Sequence, residues 1–196
     1  MPAFALSIDA RPVATVSCEG RDVMHLSVHG DMTAADFALA EISGGTYKSD
    51  SDQNHSIWLD EFKVKPGAPV EIAFLEFATD SHRGQAIEEL YPDEASFEPN
   101  EVSVEDVVRK LKRQKRLRKR YRFHLSATNV SPIAAETRTD DYSFSFNVLW
   151  NWNHPRRARV ALLSHSVDDI VQQTGGIRHA EFRIEPLETV TFRADA

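Results

Sequence analysis

Ten of the fourteen residues from Arg109 to Arg122 are lysine or arginine, in a chain of 196 residues with a formal charge of −7. The remaining sequence holds thirteen Lys and Arg against all 30 acidic residues. Side chains of this type and density capture anions electrostatically. The stretch just before the block is acidic: Glu88, Glu89, Asp93, Glu94, Glu98, Glu101, Glu105 and Asp106 occur with no basic residue among them. Charge segregated in this way predicts either an anionic partner or strong internal pairing. The candidate partner-binding residues are Arg109, Lys112, Arg113, Lys115, Arg116, Lys119 and Arg120. Their role would be capture rather than base reading, because Gln114 is the one amide side chain among them that can pair with a base edge.

Three accounts of the block compete. The simplest is a solvated helix whose bases pair with the acids of 88–106. Exposed pairs of that kind contribute only ~0–1 kcal/mol each, so a stronger anion would displace them. The second is an anionic protein partner. The third is nucleic acid, bound through several phosphates and sensitive to salt. Tyr121 and Phe123 adjoin the block as stacking candidates, but their period-2 spacing marks them as core. Tyr142-x-Phe144-x-Phe146 has the look of an aromatic RNA-binding strand without the basic-Gly-aromatic lead-in.

Other constellations are weaker. From Asp50, acids or amides fall at positions 1, 3 and 5 (Asp50, Asp52, Asn54), with Ile57 at 8 and Glu61 at 12, much of a calcium-loop pattern. Position 6 is His55 where the sharp turn needs Gly, so a polar hairpin loop is the expected structure. His25 and His29 share one face of a strand but lie ~13 Å apart, too far to chelate one ion. Ser164-His165-Ser166 with Asp168 and Asp169 has hydrolase residue types without a Gly-x-Ser-x-Gly elbow. Cys18, on the strand face of Val16, reads as a buried small hydrophobe. No metal, cofactor or catalytic residue is assigned, and the expectation is a protein that is not an enzyme.

These side chains need a scaffold, and the alternation pattern supplies one. Phe4, Leu6 and Ile8; Met24, Leu26 and Val28; Val70, Ile72 and Phe74; Tyr121, Phe123 and Leu125; and Tyr142 through Trp152 all repeat with period two, as half-buried strands do. Further strands are expected at 13–18, 37–42, 57–64, 158–163, 182–184 and 190–192. Turns fall at Glu19-Gly20-Arg21, Gly30-Asp31, Gly44-Gly45 and Pro66-Gly67. Ser103-Val-Glu-Asp106 and Ser166-Val-Asp-Asp169 are capping boxes. They predict a long basic helix over about 104–120, with Val104, Val107, Val108, Leu111 and Leu117 as a narrow apolar stripe, and a short helix at 167–174. Gln85 to Tyr91 can form two further turns. The prediction is a mainly β fold: a β-sandwich of roughly nine strands in a single domain spanning 1–196, with a charged helical connector at 81–120 between two β-rich halves. No internal repeat is visible between those halves.

Composition sets the class. With 41% hydrophobic residues and 11 Phe, the chain is globular. A single cysteine cannot form an internal disulfide, and the N-terminal residues lack the basic and apolar regions of a signal peptide. Without an apolar run of membrane-spanning length, the expected setting is cytoplasmic, with no membrane partner.

Residues 26–76 carry Leu26-x-Val28-x-Gly30, Gly44-Gly45, His55-x-x-Trp58 and Val64-x-x-Gly67-x-x-Val70-x-Ile72-x-x-x-Glu76. This segment resembles small bacterial all-β proteins of unknown function. The resemblance implies a bacterial cytosolic β-protein without catalytic residues, with Trp58 as a core anchor and Gly67 in a hairpin turn. The leading functional expectation is a non-enzymatic binding protein presenting the basic helix to an anionic partner, a protein before nucleic acid. The alternatives are an acidic immunity or inhibitor protein binding a basic toxin or enzyme, and a self-associating structural component of a phage or secretion system.

Overall fold

The computed structural model describes residues 1–47, 53–92 and 103–196. Its elements run β1 (Ala3–Ile8), β2 (Arg11–Ser17), β3 (Val23–Asp31), β4 (Ala38–Tyr47), β5 (Gln53–Val64), β6 (Val70–Leu75), α1 (Ile87–Leu90), α2 (Val104–Arg113), β7 (Arg122–Ala127), β8 (Val130–Glu136), β9 (Asp141–Asn151), β10 (Ala158–Ser166), α3 (Val167–Val171), β11 (Ile177–Ile184) and β12 (Thr189–Asp195). Twelve strands among the described residues replace the nine expected. All the ladders are antiparallel, in two six-stranded sheets ordered β2-β1-β6-β12-β7-β8 and β11-β10-β9-β3-β4-β5.

That order reveals a repeat the residues themselves do not show. β1-β2 is a hairpin in the first sheet, β3-β4-β5 a meander in the second, and β6 returns beside β1. The second half retraces this path: hairpin β7-β8, meander β9-β10-β11, then β12 beside β7. The halves meet along β6-β12 in one sheet and β3-β9 in the other, in registers such as Ile72 opposite Val190 and Leu26 opposite Val148. Each half therefore supplies three strands to each sheet.

The period-2 apolar faces close on one core. Phe4, Ile72, Phe123 and Phe192 of the first sheet, and Met24, Ile42, Phe144, Phe146 and Trp150 of the second, are all fully buried. Across the interface Phe146 stacks on Phe192 with ring centroids 4.5 Å apart, and Phe123 meets Phe144 at 5.1 Å. Trp58 is buried, and Gly67 takes a positive φ of 75° in the turn before β6. Trp152, expected on the aromatic face of β9, instead lies beyond the strand end at 54% exposure.

The expected 104–120 helix is shorter in fact. Ser103 caps it as predicted, accepting the Asp106 N–H, but α2 stops at Arg113, and Gln114 is already extended at φ −64°, ψ 135°. Two causes act together. Beyond Leu111 there is almost no apolar surface to bury; Leu117 is 56% exposed, so it gains little of the ~1.5–3 kcal/mol that full burial would bring. A continued helix would also stack like charges four residues apart at Lys112/Arg116, Lys115/Lys119 and Arg116/Arg120. The chain instead crosses residues 114–120 as an irregular strap with bends at 114, 117 and 119. The N–H groups of Leu117 and Arg118 donate to the Met32 carbonyl at 2.7 and 3.2 Å. No helix of the described residues is long and apolar enough to cross a membrane.

Candidate functional site

The basic block divides into cations that hold the fold and cations that face outward. Arg118 belongs to the first group. Its guanidinium donates to four carbonyls at the end of β3 and in the loop after it, of Asp31, Ala34, Ala35 and Asp36, at 2.6 to 3.2 Å. Arg116 donates to the carbonyls of Thr139, at 2.6 Å, and Asp141. Backbone acceptors thus fix the strap at both positions.

Three of the expected partner-binding residues meet carboxylates. Arg109 bonds Asp106 at 2.7 Å, Lys112 bonds Asp168 at 3.0 Å, and Arg120 grips both oxygens of Glu136 at 3.1 and 3.0 Å. All three pairs are solvent-exposed on both sides. Arg113, Lys115 and Lys119, together with Lys110, are exposed and carry no side-chain hydrogen bond or ion pair among the described residues. Of the acidic stretch at 88–106, Glu89 turns to Arg83 at 2.6 Å and Asp106 to Arg109, while residues 93–102 lie outside the described residues.

Between α2, the strap and α3 lies a cleft of about 280 Å³, walled by Leu111, Lys112, Gln114, Arg116, Tyr142 and Asp168. The amide oxygen of Gln114 accepts from the Tyr142 hydroxyl at 2.7 Å and from Thr33 at 3.2 Å. The helix end is thereby tied to β9 and to the loop after β3. Tyr121 and Phe123, weighed as stacking residues, are fully buried. The Tyr121 hydroxyl donates to the carbonyls of Asp31 and Phe37, and burial pushes its pKa up to about 12.

Behind the cleft, the structure assembles a polar chain that sequence reasoning missed. Arg138 donates to Asp141 from its side chain and backbone; Ser164 donates to Asp141 at 2.6 Å; Ser164 and His179 Nε2 are 2.9 Å apart. Asp141 and Ser164 are fully buried. Burial opposes ionisation of Asp141, but the bonds from Arg138 and Ser164 outweigh it and hold the carboxyl below its ordinary range. Burial also lowers the pKa of His179, with Asp141 partly opposing. The serine stands between acid and histidine, so its proton is given directly to a carboxylate, and no solvent reaches its Oγ. Ser164 does not meet Asp168 or Asp169, which lie in the first turn of α3 as the capping box predicts. Asp169 caps α3, held at about pKa 2 by hydrogen bonds from Ser166 and Thr174, while Asp168 faces Lys112.

The remaining histidines stay apart. His25 bonds Asn147 at 3.0 Å, and His29 lies 3.8 Å from Glu41. Among the described residues no group of three or more His, Cys, Asp or Glu could hold a metal. Asp50 and Asp52 of the calcium-loop pattern lie outside the described residues, and the rest of that pattern runs along β5. Cys18 is buried, and desolvation raises its thiol to about 12. No protein-family model matches the chain, and no curated protein or solved structure matches it either.

Proposed function

We propose that this protein is a non-enzymatic binding module that offers the outward cations of residues 109–120 to an anionic protein surface. The observation that carries the reading is the set Lys110, Arg113, Lys115 and Lys119, exposed and without a side-chain partner among the described residues, beside a backbone fixed by Arg116 and Arg118. Arg109, Lys112 and Arg120 add to this set, because their exposed pairs are weak enough to open for a stronger anion. A protein is favoured over single-stranded nucleic acid because the two aromatics beside the block are consumed by the core.

The test is charge reversal at Lys110, Arg113, Lys115 and Lys119, read by elution from a heparin column. The wild-type chain should be retained at low salt and the variant should flow through with its circular dichroism unchanged. Equal retention of the two would overturn the proposal.

A further inference from the structure

A second cationic site lies away from the basic block, at the turn between β9 and β10. Arg159 on β10 and Arg183 on β11 are directly opposite one another in the ladder. Their side chains leave the sheet on its solvent face, since the flanking Ala158, Val160 and Ile184 are buried. Like charges in that relation destabilise a sheet. Neither guanidinium has an ion pair or side-chain hydrogen bond among the described residues. Arg157 and His154, from the turn, face the same hollow of about 320 Å³, which has Leu149 on its floor and no carboxylate in its lining. Glu185 pairs with Arg157 at 3.7 Å from outside that lining.

Two further observations make this a site rather than a collision of charges. The turn is rigid: the Trp150 indole donates to the Pro155 carbonyl at 3.0 Å, and His154 and Arg157 close backbone bonds of 3.1 and 3.0 Å. Asn151 also lines the hollow, and its side-chain oxygen is buried behind the surface without a hydrogen-bond partner among the described residues.

We propose that this hollow binds a small phosphate-bearing ligand. A planar carboxylate is satisfied by one guanidinium fork, whereas a tetrahedral phosphate has oxygens for forks arriving from two strands and a turn. The ligand's charge would cancel the repulsion between Arg159 and Arg183, and Leu149 would meet its uncharged part. This site is independent of the proposed role of residues 109–120.

The experiment is calorimetric titration with inorganic pyrophosphate, with citrate as the carboxylate arm at matched ionic strength. Saturable pyrophosphate binding should weaken by roughly tenfold or more in Arg159→Gln/Arg183→Gln, because charge-assisted bonds are lost. It should persist in the variant reversed at Lys110, Arg113, Lys115 and Lys119. Without ligand, the double glutamine variant should melt higher than the wild type as the repulsion is removed. Absence of saturable binding, tighter binding of citrate, or undiminished binding by the double glutamine variant would each overturn the proposal.

Discussion

Ser164 donates its hydroxyl to Asp141 at 2.6 Å in full burial, which joins β10 to the first residue of β9. The bond is part of what keeps Asp141 ionised inside the sandwich, alongside Arg138. Ser164→Ala should therefore destabilise the fold by about 1–3 kcal/mol, leaving Asp141 and His179 each short of a partner.

The same cluster sets the acid limit of stability. The depressed Asp141 contributes stability that is present above the ordinary aspartate pKa of 3.8 and lost as pH falls through its lower folded value. His179 acts earlier: its folded pKa lies below 6.5, so protonation of the unfolded chain begins to drain stability as pH drops past that value. Urea unfolding across pH 7 to 3 should show two successive declines. In Ser164→Ala the second should be smaller, because the folded pKa of Asp141 moves back toward its ordinary value and the gap from the unfolded chain narrows. A pH profile parallel to the wild type would contradict the assignment.

Arg118 ties the strap to the 31–36 loop through four carbonyls, and its guanidinium lies 5.5 Å from the Phe37 ring. Arg118→Ala should cost about 2–3 kcal/mol in urea unfolding. Arg118→Lys should recover only part of it, since an ammonium cannot reproduce the planar fork. Full recovery by lysine would show that charge alone matters there.

Cys18 should be silent toward an aromatic disulfide reagent at pH 8 in the native protein and react once per chain in urea. Burial and a thiol pKa of about 12 both withhold the thiolate. Rapid native-state labelling would contradict this placement.

Much of the β framework is legible in the alternation of Phe4-Leu6-Ile8 or Phe144-Phe146-Val148, because a one-residue slip would turn a whole apolar face outward. The polar cluster is not legible for the converse reason. His179 is an extra residue where the β10-β11 register shifts between Leu162 and Leu163, and such a bulge re-aims a side chain without leaving a mark in the pattern. β8 escaped because its Pro132 and small, exposed residues suit an edge strand, which need not alternate strongly. Gly44-Gly45 reads as a turn but lies within β4. At Gly45 an added Cβ would run into the Asn54 carbonyl of the neighbouring strand, so close approach rather than chain reversal explains the glycine. The basic helix is overextended in the sequence reading because capping and charge mark where a helix begins better than where its packing ends.

The central claim is that the outward cations of residues 109–120 bind an anionic partner electrostatically. Its most direct measurement is fluorescence polarisation of a labelled polyglutamate peptide, titrated with wild-type protein and with the Lys110, Arg113, Lys115 and Lys119 reversal variant over a series of salt concentrations. The account predicts wild-type binding that weakens steadily as salt rises and no binding by the variant at any salt. Equal affinity of the two proteins, or wild-type binding indifferent to salt, would contradict it.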